Sequence, residues 1–166
     1  MRWGSGGAPL LISAALVLAS VAESLGRQQD IERENLAGIS EVNVVVEEMS
    51  DAAEAAGLTR RSLLMAVERQ LELRGVPIGN SRYAADLYIN VATHLGSTGL
   101  YAYYARASVQ QLATLEVNQL RSFVDTWDMA SLGTVGGAYL SEVEQVVTQL
   151  VDLFCDDYFK MNEPLH

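Results

Sequence analysis

The sequence predicts an α+β fold. Two helices should cover one face of an antiparallel sheet of about four to five strands, a two-layer sandwich in the order β-α-β-β-β-α. Three observations carry that expectation. SEVNVVVEEM sets Val42, Val44 and Val46 at a spacing of two, which makes a strand with one strongly buried face. Residues from Leu140 to Tyr158 repeat apolar side chains at helical spacing. Between them, runs of alternating character are separated by short turn signals. Two helices with one apolar stripe each can cover only one side of such a sheet, so the other side stays open or meets a partner.

Taken in order, the domain opens at Ile39 and the first strand follows. SDAAEAAG, residues 50–57, reads as a small-residue turn or a first helical turn. Thr59 is a suitable N-cap for RRSLLMAVERQLELR, in which Leu64, Val67 and Leu71, with Leu63 beside them, form the apolar stripe. Gly75 suits the left-handed residue after a helix, and Pro77 prevents continuation. Leu87, Ile89 and Val91 then alternate with Tyr88, Asn90 and Ala92. Ser97-Thr98-Gly99 turns the chain into a long strand from about Leu100 to Leu115, and Asn118-Gln119 turns it again into RSFVDTWDM. Gly133, Gly136 and Gly137 break the chain before the last helix. Its stripe of Leu140, Val143, Val147, Leu150, Val151, Phe154 and Tyr158 faces away from Glu142, Glu144, Gln149, Asp152 and Asp156. Asn162 and Pro164 mark its end.

The N-terminus speaks to location. Arg2 precedes an uncharged run from Leu10 to Ala22 that closes on Ser20-Val21-Ala22, and Glu23 is the next charge. A positive start, a short apolar core and a small-x-small ending are the marks of a secretory signal peptide. The run is shorter than the roughly 20 residues a bilayer span requires, so an uncleaved anchor is the weaker reading. No cysteine follows the apolar core, which argues against a lipid-modified N-terminus. The expected organisation is a signal peptide over 1–22, a flexible polar segment over 23–38, a single α+β domain over 39–162 and a tail over 163–166. Location is then periplasmic or secreted, with no membrane span after cleavage.

Charge and cysteine content narrow the function classes. The chain holds 11 basic and 21 acidic residues, a net charge of −10. Such a balance disfavours nucleic acid, which is bound through basic side chains that release its counterions. The single cysteine, Cys155, permits neither an internal disulfide nor a cysteine zinc cluster. It lies beside the apolar stripe of the last helix with Asp152, Asp156 and Asp157 near it, a setting that raises a thiol pKa and disfavours reactivity. The two histidines, His94 and His166, lack ligand spacing, so no metal site is expected. GTVGG precedes a helix but lacks the lysine of a phosphate loop, and no cofactor is expected.

Asp125 and Asp128 are the only carboxylates worth weighing for acid/base work. Three residues apart on a regular strand, they point to opposite faces and cannot share a proton unless a bulge intervenes. No catalytic residue is therefore assigned, and the chain is not expected to be an enzyme. The aromatic residues offer more. Trp127, Tyr104, Arg106 and Phe123 would form a patch suited to a protein interface if they shared the open sheet face. The alternative places Trp127 inward beneath the last helix, the commoner use of a large aromatic.

VNVVVEEM, GLTRRSLLMAVERQLELRGVPI, ADLYINV, TWDMASLG and LVDLFCDDYFKMN together resemble a pattern seen in small exported bacterial proteins without assigned function. The element order is also similar to the N-terminal domain of the Tol-system periplasmic protein. The resemblance implies an envelope α/β domain and carries over no site residues. The expected function is binding, to an envelope protein or by self-association. A carrier of a small apolar ligand or lipid is the alternative, recognisable by a closed apolar cavity, and a hydrolytic enzyme comes third.

Overall fold

A computed structural model describes residues 28–82 and 84–162. The signal peptide expected over 1–22, the start of the polar segment at 23–27 and the tail at 163–166 lie outside the described residues. Helical residues 28–34 belong to α1. There follow β1 (Val42–Val46), α2 (Asp51–Ala55), α3 (Arg60–Arg74), β2 (Ala85–Leu95), β3 (Leu100–Thr114) and β4 (Arg121–Gly136). A 3₁₀ turn (Gly137–Glu142) then leads into α4 (Val143–Asn162). The α+β sandwich expected from the sequence is present, with four strands in the order β1-β2-β3-β4.

The sheet is mixed rather than wholly antiparallel. β1 runs parallel to β2, Val42 opposite Ala85 and Val46 opposite Ile89, while β2-β3 and β3-β4 are antiparallel. The cause is the connection. A strand that returns through a helix to lie beside its predecessor must run parallel to it, whereas the tight turns after β2 and β3 reverse the chain.

Local signals act where expected. Thr59 caps α3 by accepting from Ser62 N at 3.0 Å, and Gly75 adopts φ 81° at its end. Ser50 caps the short α2 in the same way. On α3 the innermost residues are Leu63, Val67 and Leu71, with Leu64 half-buried, so the stripe sits one residue earlier than its expected centre. Every apolar residue expected in the stripe of the last helix is buried, Leu140 from the preceding 3₁₀ turn and the others from α4. Helices α3 and α4 pack side by side on one sheet face, over Leu87, Ile89, Ala105, Ala107, Val109 and Trp127.

Two further expectations change. The expected glycine break begins only at Gly136, because β4 continues through Gly133. Tyr103, directly opposite, lays its ring where a side chain would go, and a Cβ at Gly133 would sit 2.6 Å from the Tyr103 hydroxyl. The strand is thus completed by a cross-strand ring over a bare glycine.

The polar segment is also more ordered than its composition implied. Leu36 is fully buried in the core, and polar ties hold the chain around it. Arg33 Nε donates to Asp157 at 2.7 Å, Asn35 Nδ2 to the Thr126 carbonyl at 3.0 Å, and Asn162 Nδ2 to the Leu36 carbonyl at 3.0 Å. Gly38 N donates back to Asn162 Oδ1 at 2.8 Å. From residue 33 the segment is a strap across the end of α4. Its partners on β3, β4 and α4 lie far away in sequence, so periodicity within the segment had nothing to reveal.

Candidate functional site

The region around RSFVDTWDM is organised by one extra residue. Val109 stands opposite Trp127 and Gln110 opposite Asp125, which leaves Thr126 without a cross-strand partner. This is a β-bulge, and it shifts the alternation of side chains by one place. Asp125 and Asp128 therefore share a face instead of opposing each other. Between them sits Arg106 of β3, donating from Nη2 to Asp125 Oδ2 at 2.9 Å and from Nε to Asp128 Oδ2 at 3.0 Å. Two hydrogen-bonded carboxylates hold the guanidinium charged, and its pKa lies above the ordinary arginine value.

The bulge sends Trp127 inward. It is 2 % exposed, packs edge-on against Phe154 at a centroid distance of 5.5 Å, and donates from Nε1 to Asp157 Oδ2 at 3.2 Å. Of the four residues proposed as an exposed patch, Trp127 is thus a core residue, because α4 lies over it. Asp157 also accepts from Arg33 and, at 3.4 Å, from Lys160 Nζ. Burial alone would raise its pKa, but the hydrogen bonds from Arg33 and Trp127 outweigh this and hold the carboxyl below its ordinary value. Asp157 is the polar hub that ties α1, β4 and α4 together. The sequence showed it only as one of several acids near Cys155, since both key partners come from elsewhere in the chain.

Tyr104, Arg106 and Phe123 do lie together on the open face. Tyr104 (38 % exposed) stands opposite Leu132 (79 %), and Leu112 (43 %) stands opposite Phe123 (61 %). These two apolar cross-strand pairs bracket the Arg106–Asp125–Asp128 group. Leu132 was not legible in the sequence, because the bulge decides which residues of β4 face outward; Leu112 continues the β3 alternation of Tyr104 and Arg106. Tyr88, Asn90 and Glu47 continue the polar centre toward β1, with Asn90 hydrogen-bonded to Glu47. Burial, then the nearby Glu47 carboxylate, raises the Tyr88 pKa, so the phenol stays protonated near neutral pH.

The remaining candidates do not converge. His94 is exposed and lies opposite Ala102, while Asp128 lies opposite Ser108, about 20 Å further along β3 at roughly 3.3 Å per residue. Among the described residues no group of three His, Cys, Asp or Glu side chains is placed to hold a metal ion. Cys155 is fully buried, and its thiol is pushed up to about 11, mainly by burial, with Asp152 and Asp156 adding to the effect and Arg74 opposing it. A hollow of about 250 Å³ beside α4 has Tyr103, Val135, Val143 and Val146 in its wall, but also Glu142, Gln145 and Gln149. Another, of about 520 Å³, lies against the outer side of α3 near Met65 and Arg69. Neither lining is the dry, apolar one that a lipid carrier needs. No helix among the described residues is long and apolar enough to cross a membrane.

No protein-family model matches the chain, and no curated protein matches it. Among solved structures it is similar to a minor lipoprotein from Acinetobacter baumannii, at 11 % identity and a TM-score of 0.32. That similarity covers 71 % of this chain and 95 % of the lipoprotein.

Proposed function

We propose that the protein is an exported binding domain that docks a partner protein of the cell envelope on the open face of its sheet. One observation carries the reading: two apolar cross-strand pairs, Tyr104–Leu132 and Leu112–Phe123, flank an ion-paired centre on a face that no helix among the described residues covers. An interface has this composition, with apolar and aromatic anchors around a few charges already matched within the protein. Export rests on the N-terminal apolar run and its small-x-small ending. The Arg106 group sets an orientation for the incoming partner, because a misplaced negative charge there would meet two carboxylates.

Photo-crosslinking tests the reading. A crosslinking residue is placed at 104 or at 123, and at 65 on the outer side of α3 as the control. Adducts to one envelope protein from positions 104 and 123, absent from 65, are the expected result. Equal labelling from all three positions, or none from the sheet positions, would exclude docking on this face.

A further inference from the structure

The sheet has two edges, and the chain treats them differently. β1 is short, and its outer side is paired at its start: Val42 N donates to the Pro77 carbonyl at 3.0 Å, and Gly79 N donates to the Val42 carbonyl at 2.9 Å. β4 is the opposite edge and is 16 residues long. Its first half is protected by the bulge at Thr126, by Asn35 on the Thr126 carbonyl and by the charges of Asp125 and Asp128. Beyond Asp128 those devices stop. Met129 to Gly136 reads MASLGTVG, with no charge, no proline and no bulge, and among the described residues no main-chain bond is made on its outer side.

An edge of this kind is a template for another strand, and proteins ordinarily blunt it with lysine, proline, bulges or a covering segment. We infer that this stretch pairs antiparallel with the same stretch of a second copy, Leu132 opposite Leu132 and Met129 opposite Val135, joining two four-stranded sheets into one of eight strands about a two-fold axis. Charge directs a second copy to this edge. The chain carries a net charge of −10, so two copies repel over most approaches. Antiparallel self-pairing of this stretch sets uncharged residues against uncharged residues and holds the carboxylates beyond the ends of the ladder. A two-fold contact also requires a self-complementary patch, which eight neutral residues of an open edge supply. Leu132, at the middle of the stretch and 79 % exposed, comes near the axis and meets its counterpart. With the axis normal to the sheet, both helix layers stay on one side and both open faces join on the other.

Sedimentation velocity on the protein beginning at residue 23, from about 1 to 200 μM, tests the inference. The expected result is a concentration-dependent shift from monomer to dimer. Leu132→Lys should abolish the shift while keeping the near-ultraviolet signal of Trp127, because position 132 projects into solvent in the monomer. Leu112→Lys, on the same face but away from the free edge, should leave the shift intact. A wild-type monomer across the whole range would overturn the proposal, as would a dimer unaffected by Leu132→Lys or equally lost in Leu112→Lys. Crosslinking from positions 104 and 123 reads the docking of an envelope partner separately.

Discussion

The two faces of the sheet are built from the same strands, yet one is a core and the other a surface with two apolar islands. Beneath α3 and α4, Leu87, Ile89, Val109 and Trp127 are enclosed, and the one strong charge at that boundary, Asp157, is matched by Arg33 and by the indole N–H. On the open side the charges stand at the centre and the apolar side chains at either end. Composition does not separate the faces, since each holds aromatic residues and aspartates. Coverage does: whatever α4 lies over is enclosed, and the bulge at Thr126 decides which residues those are.

The contrast is broken most severely from the covered side. Trp127→Ala removes a buried indole and leaves a cavity against Phe154, so a loss of about 3–5 kcal/mol is expected in urea unfolding. A change below about 1 kcal/mol would mean that Trp127 does not anchor the core. Asp157→Asn should lose roughly 2 kcal/mol, because a half-buried Arg33 and the indole N–H lose a charged acceptor. Its pH dependence adds a second readout. The folded carboxyl titrates below its ordinary value of 3.8, so its contribution is fully present above that value and disappears as pH falls through the lower folded one. Below about pH 4 the wild type should therefore lose stability more steeply than Asp157→Asn, and parallel acid limbs would exclude this role.

Changes on the open side should be mild in stability. Arg106→Ala frees two partly exposed carboxylates on the same face, at a cost of about 0.5–1 kcal/mol, and salt should reduce the difference. A loss above about 2 kcal/mol would show that this face is enclosed in the folded protein. Phe123→Ser and Tyr104→Ser should lie within about 0.5 kcal/mol of wild type, while weakening any contact made through the open face. Cys155 gives a last check on coverage. It should resist a thiol reagent in the native protein and react once urea unfolds the chain, since burial suppresses the thiolate. Prompt native labelling would show that α4 does not close over its own stripe.

Local chemistry made much of this fold readable. Thr59 and Gly75 bound α3 because a cap needs only a side-chain oxygen at one end and a left-handed residue at the other. The stripe of α4 was visible residue by residue because it repeats at the helical period. The strap from Arg33 to Gly38 was not, because one buried leucine makes no period and the ties that hold it to α4 are long-range. The site was half legible for a related reason. Tyr104, Arg106 and Phe123 follow from simple alternation, whereas the inward Trp127 and the outward Leu132 depend on a single unpaired residue.

By itself, then, the sequence determined the longer helices and the strands, where most of them end, and that two striped helices leave one sheet face uncovered. Those features rest on periodicity, capping and turn chemistry, which act over a few neighbouring residues. Tertiary structure decided the parallel pairing of β1 with β2, the bulge that brings Asp125 and Asp128 onto one side of Arg106, and the burial of Trp127 against Asp157. Each depends on which distant groups meet, so no local pattern encodes it. The opening stretch of β4 therefore holds two kinds of residue side by side: an indole that anchors the core, and carboxylates that hold Arg106 on the open face.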